Sequence, residues 1–150
     1  MIFFEEKDYS GGSNKLNKEG IESGKERMAK DALARYLGIE LKELKPGYAR
    51  AVMEVKSEHL NGVGLTHGGA IFSLADLVFA AASNSHGRVA LGLNVNINYL
   101  KATKLGEKLV AEATEVHLTT KTGVYRMEVK DSKGEKVAVA EGLVYRKSSY

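Results

Sequence analysis

Residues 61–85 read NGVGLTHGGAIFSLADLVFAAASNS. From Gly68 to Ser85 it carries Gly, Ala, Ile, Phe, Leu, Val, Ser and Asn, with one charged side chain, Asp76, in the middle. Apolar residues fall on nearly every face of a helix drawn through it, which predicts a buried helix. Gly68 and Gly69 are expected in its first turn, where backbone N–H groups lack intrahelical acceptors and the helix dipole is positive. At 100° per residue, Gly69, Phe72, Asp76, Ala80 and Ser83 share a stripe, so a carboxylate faces the same side as the N–H donors. The two features lie roughly two turns apart along the axis at about 1.5 Å per residue. That is too far for both to touch one small group within one chain, so the pair is expected to be assembled across a dimer. The bland alternative is that Asp76 is buried in an ion pair or accepts hydrogen bonds from a neighbouring strand, as buried carboxylates usually must.

Downstream, Val89, Leu91, Leu93, Val95, Ile97 and Tyr99 alternate with Ala90, Gly92, Asn94, Asn96 and Asn98, the period of a strand. Three asparagines on one face meet either water or an interface. Leu109–Leu118, Val124–Lys130 and Lys136–Arg146 read as three more strands. Upstream, Ile39–Lys45 and Tyr48–Lys56 flank the turn dipeptide Pro46-Gly47 and predict an antiparallel hairpin. Strands, one long buried helix, then a meander give an α+β fold with the helix packed on the sheet. One sheet cannot cover a helix that is apolar all round, so a second subunit or the N-terminal segments must complete its burial.

Ser23-Gly24-Lys25-Glu26 reads as a capping box that opens an amphipathic helix through Met28, Ala32, Leu33, Tyr36 and Leu37, with Gly38 as its stop. Residues 1–24 are expected to form a flexible arm, because residues 5–24 hold only Tyr9, Leu16 and Ile21 as apolar side chains. Residues 25–150 form the folded domain.

The quoted residues Asn61, Gly64, His67-Gly68-Gly69, Phe72, Leu74-Ala75-Asp76 and Asn84 resemble the signature of the hotdog-fold acyl-CoA thioesterases of the phenylacetate-pathway (PaaI) type. The similarity runs on through NVNINYLKATKLG and covers roughly residues 26–147. The resemblance implies an antiparallel sheet wrapped around a long central helix, and an active site shared between two chains of a homodimer or a dimer of dimers. It makes Asp76 the nucleophile or general base, and Gly68 the residue whose backbone N–H, on the facing chain, polarises the thioester carbonyl. Asn61 would hold the carbonyl or the water, with His67, Gly69 and Ser83 beside the substrate. Some relatives carry a Ser or Thr that orients the water where Ala80 or Gly92 stands here, and Ser83 or Asn84 is the expected substitute. The substrate would be an aromatic or medium-chain acyl-CoA, with coenzyme A part of the substrate and no other cofactor. The alternatives are a non-catalytic acyl-CoA-binding domain and a hydratase or dehydratase, which would usually pair an acidic residue with a catalytic histidine.

The composition fits. The 150-residue chain is 27% charged and 43% hydrophobic with net charge +3, which suits a single domain with a real core. Its basic residues are interspersed with acidic ones, so no nucleic-acid stripe forms. Cysteine is absent, which excludes disulfides, thiolate metal sites and a cysteine nucleophile. No histidine spacing suits a metal, and Ser73, Ser83 and Ser85 lack a GxSxG context. Lys101, Lys104 and Lys121 read as solvated strand ends rather than phosphate ligands. With no membrane span and no leader in Met-Ile-Phe-Phe-Glu-Glu, a cytoplasmic protein is expected.

Overall fold

The computed structural model describes residues 10–148. Three helices, α1 (Ser10–Ala29), α2 (Ala32–Leu37) and α3 (Gly68–Ser83), accompany six strands. These are β1 (Glu40–Lys45), β2 (Tyr48–Glu54), β3 (Ala90–Tyr99), β4 (Lys108–Leu118), β5 (Thr122–Lys130) and β6 (Lys136–Arg146). All six form one antiparallel sheet in the order β1-β2-β4-β5-β6-β3. The α+β class and the sheet wrapped around a central helix are as the sequence implied. Gly47 takes φ 72° at the β1–β2 turn, a conformation open to glycine at no steric cost.

The sheet curls around α3, which packs chiefly on β2, β4 and β5. Leu74, Val78 and Phe79 from α3 meet Met53, Leu109, Tyr125 and Met127 from the strands, all with at most 2% of their surface exposed. Each such side chain contributes about 1.5–3 kcal/mol through burial. Phe79 and Tyr125 meet edge to face, ring centroids 5.9 Å apart, a favourable arrangement for two quadrupoles.

Among the described residues β3 pairs with β6 alone and leaves its other edge free. Its expected apolar face divides. Val95 and Ile97 pack against the core, whereas Leu91 and Leu93 are exposed around a register shift between Gly92 and Asn94. An edge strand with exposed leucines is a surface that proteins normally cover.

The N-terminal expectations change. α1 runs straight through Ser23–Glu26, so no helix begins there, and the boundary drawn at residue 24 has no counterpart in the fold. The helix ends instead at Ala29, and Asp31 starts α2 by accepting the Ala34 N–H at 2.9 Å, with Gly38 at φ 73° closing it. The scarcity of apolar side chains suggests too little burial to order this segment, but two of its glycines serve as close-approach points. A methyl group on Gly20 would lie 2.8 Å from the Ser85 carbonyl oxygen, and one on Gly24 3.2 Å from that of Asn84. α1 therefore docks by its bare backbone on the turn after α3, and Arg27 donates to the Asn84 side chain at 3.3 Å. The part of the arm before residue 10 lies outside the described residues. No helix among the described residues is long and apolar enough to cross a membrane.

Candidate active site

The loop into α3 is tied down at several points. Buried His59 accepts the Lys56 N–H at Nδ1, and its carbonyl accepts the His67 N–H at 2.7 Å. Thr66 and Thr103 join through their backbones and through a buried hydroxyl pair at 2.7 Å. Asn61 folds the loop around its own amide: Oδ1 accepts from Val63 and Leu65 N–H at 3.0 and 3.1 Å. With Oδ1 spent on the turn, the Asn61 NH2 is the group left to offer a ligand.

The three residues that follow divide the backbone donors between them. His67 is extended, and its Nδ1 caps the helix by accepting the Gly69 N–H at 2.8 Å. The Gly69 N–H is therefore taken, which corrects the reading of both glycines as free donors. The His67 carbonyl accepts from Ala70 and Ile71. No acceptor among the described residues takes the Gly68 N–H, which stands alone at the positive end of the dipole. Gly68 and Asn61 line a common cavity of about 400 Å³ with Leu65, Ile71, Tyr99 and Leu100. Asn61 and Gly68, which the motif pairs, thus line one cavity, and Tyr99, the end of an apolar series in the sequence, lines it too.

Asp76 lies on a stripe of α3 that the chain's own sheet leaves uncovered. Gly69 and Asp76 are exposed and Phe72 and Ala80 half-buried. Within the single chain, then, the sheet does not bury the carboxylate. The strands wrap the other faces of α3, and nothing among the described residues closes over this one. No hydrogen bond or ion pair to Asp76 is formed among the described residues, so the bland reading, a structural ion pair or strand contact, has no support here. Even so, the apolar surroundings raise its pKa above the ordinary 3.8 by desolvation, and the charge of nearby Asp31 adds to the rise. Asp31 had not been singled out in the sequence because its proximity depends on how α2 lies along α3. Gly68 and Asp76 are eight residues apart on α3, about 12 Å along the axis, so one chain does not bring them to the same atom.

Ser83 does not belong to this surface. It is 1% exposed and its hydroxyl donates back to the Ala80 carbonyl at 3.2 Å, which corrects its placement beside a substrate. Helix-wheel geometry put it on the right stripe, but the chain turns at the end of α3 and covers that position. Asn84 is likewise buried, donating to the Ala80 and Ala90 carbonyls and accepting the Ala90 N–H. Neither is free to orient a water. The Lys101 ammonium is held by Asp131 at 2.6 Å and by Glu135, a structural tie. A second cavity, of about 380 Å³, lies between α1, α2 and β1 and is lined by Met28, Ala34, Ile39, Leu41, Leu44 and Leu77. Neither Asp76 nor Gly68 reaches it.

A family model described as the thioesterase superfamily matches residues 63–138. A putative esterase of Archaeoglobus fulgidus is 54% identical to this chain over 84% of its length and 82% of the relative's. The acyl-coenzyme A thioesterase PaaI of Escherichia coli is 38% identical over 77% of this chain and 83% of its own. The solved structure of that E. coli protein, from the phenylacetic acid degradation operon, superposes with a TM-score of 0.85, covering 89% of this chain and 97% of that one at 34% identity. A hypothetical thioesterase of Streptococcus pneumoniae, solved with coenzyme A, superposes at 0.77 and 27% identity, covering 83% and 97%.

Proposed function

The chain belongs to the thioesterase superfamily and is a PaaI-like thioester hydrolase, and from that premise we propose that it hydrolyses aromatic or medium-chain acyl-CoA at sites built from two subunits. The carrying observation is the pairing of unmet groups on α3: among the described residues, an N–H at Gly68 has no acceptor and, about 12 Å away, a carboxylate at Asp76 has no partner. Each lacks what the other's substrate contact supplies, and a second chain laid against the exposed stripe resolves both. The free, leucine-bearing edge of β3 supports such an assembly, a homodimer or a dimer of dimers. The names of the E. coli and S. pneumoniae relatives support acyl-CoA as the substrate class.

In this reading the thioester carbonyl lies against the Gly68 N–H and the Asn61 NH2 of one subunit, where negative charge develops during attack. A preorganised donor in such a place lowers the barrier by about 3 kcal/mol. Asp76 of the facing subunit removes a proton from water, or attacks the carbonyl to give a mixed anhydride that water then opens. Either route ends in free acid and coenzyme A, and either requires the carboxylate ionised. The hydratase alternative would assign catalysis to His67, whose Nδ1 is committed to capping α3.

Release of free thiol from a panel of acyl-CoAs, followed with a thiol-reactive dye, tests the proposal. Turnover of aromatic or medium-chain thioesters is the expected result. Binding of acyl-CoA without thiol release would replace the enzyme with a non-catalytic binder.

A further inference from the structure

Gly68 and Gly69 stand where a helix start would ordinarily fray, and glycine has the freest backbone of any residue. A lone N–H donor there is useful only if its direction is fixed, since catalytic groups must be held to within about 0.5 Å. The peptide between the two glycines is gripped at both ends. Its N–H, from Gly69, donates to His67 Nδ1 at 2.8 Å, and its carbonyl, from Gly68, accepts the Tyr99 hydroxyl at 3.1 Å. The rings that make these bonds also occupy the space side chains would need. A methyl group on Gly68 would lie 3.2 Å from Tyr99 Cζ, and one on Gly69 3.0 Å from His67 Nδ1.

The side chain of Tyr99 is half exposed, but its backbone is well anchored. It ends β3 opposite Ala138, and the next two N–H groups, of Leu100 and Lys101, both reach the Val137 carbonyl, at 2.8 and 3.3 Å. The Lys101 ammonium is fastened to Asp131. Tyr99 lines the same cavity as Gly68 and Asn61.

Resting on the thioesterase reading above, we infer that Tyr99 is a positioning residue that fixes the direction of the Gly68 N–H by holding the Gly68 carbonyl. The hydroxyl supplies the bond and the ring supplies the wall. Between them they restrain the rotations of Gly68, and its free N–H points into the cavity rather than sampling the loop.

The test compares the full-length wild type with Tyr99→Phe and Tyr99→Leu by thiol release, and reads the Gly68 carbonyl by NMR of glycine-labelled protein. Tyr99→Phe keeps the wall and loses the bond: kcat falls about fivefold, the scale of one hydrogen bond, with KM within about twofold, the pattern of an interaction made in the transition state. Tyr99→Leu loses both and falls on the order of thirtyfold. In both variants the Gly68 carbonyl resonance moves. A Tyr99→Phe variant with wild-type kcat, or with an unmoved carbonyl, overturns the inference. Wild-type protein that releases no thiol, while the carbonyl still moves in Tyr99→Phe, would instead overturn the thioesterase reading and leave the clamp standing.

Discussion

The two ends of α3 are built on opposite rules. At the C-terminal end Ser83, Asn84 and Ser85 are each at most 5% exposed, and their side chains are bonded to neighbouring backbone. Ser85 accepts from Gly47 at 2.8 Å and donates to Ala82 at 2.6 Å, while Asn84 joins α3 to the start of β3 and receives Arg27 from α1. At the N-terminal end, and two turns on at Asp76, a donor and a carboxylate are left unmet among the described residues. Satisfied polar groups at the first end hold the fold; unmet ones at the second are available for chemistry. The difference separates Asp76 from Ser83, which a helical wheel draws on one stripe.

The largest expected effect lies at the unmet end. Asp76→Asn is expected to fold and to lose at least about a hundredfold in turnover, the scale of a lost general base; thiol release at saturating substrate measures it, and unchanged turnover would break the contrast. Stability should move the other way. The folded carboxylate ionises at higher pH than the unfolded one, so between the two pKa values the folded state holds more protons. Its contribution to stability therefore falls as pH rises through that window, above 3.8, and stays lost at neutral pH. Thermal melting of Asp76→Asn at pH 7 is expected at or slightly above the wild-type temperature.

Next in size is the satisfied end. Asn84→Ala strips partners from the buried Ala90 N–H and from two carbonyls, and should cost about 2–3 kcal/mol in denaturant unfolding, while the fraction that stays folded turns over normally. Gly68→Ala is a smaller disturbance. Its methyl group pushes on the Tyr99 ring, and kcat is expected to fall roughly tenfold with little change in melting temperature. Ser83→Ala should be the quietest, within about 0.5 kcal/mol of wild type in stability and unaltered in KM. A rise in KM there would return Ser83 to the substrate and blur the two ends.

Much of this was open to sequence reasoning, for identifiable reasons. The six strands and α3 follow from period-2 and all-round apolar patterns, and the helix start is marked by the glycine pair. Asn61 and Gly68 are named by a motif, and the fold sets both on one cavity. The misses share a cause, namely contacts between residues distant in sequence. Tyr99 meets Gly68 across 31 positions, and Gly20 meets Ser85 across a stretch with no local sign of the approach. The ordering of α1 escapes a count of apolar side chains, because glycines at Gly20 and Gly24 let its backbone dock closely on the turn after α3. Which stripe of α3 the sheet leaves bare is likewise a tertiary fact that a helical wheel does not show.

Asp31 has two employments. It opens the six-residue α2 as a cap, and its charge raises the proton affinity of Asp76. Serine would cap the helix as well and carry no charge. If Asp76 is the ionised group of the reaction, as proposed, an Asp31→Ser chain is expected to extend its working range toward acid, though by less than desolvation, the larger cause of the rise, sets it back.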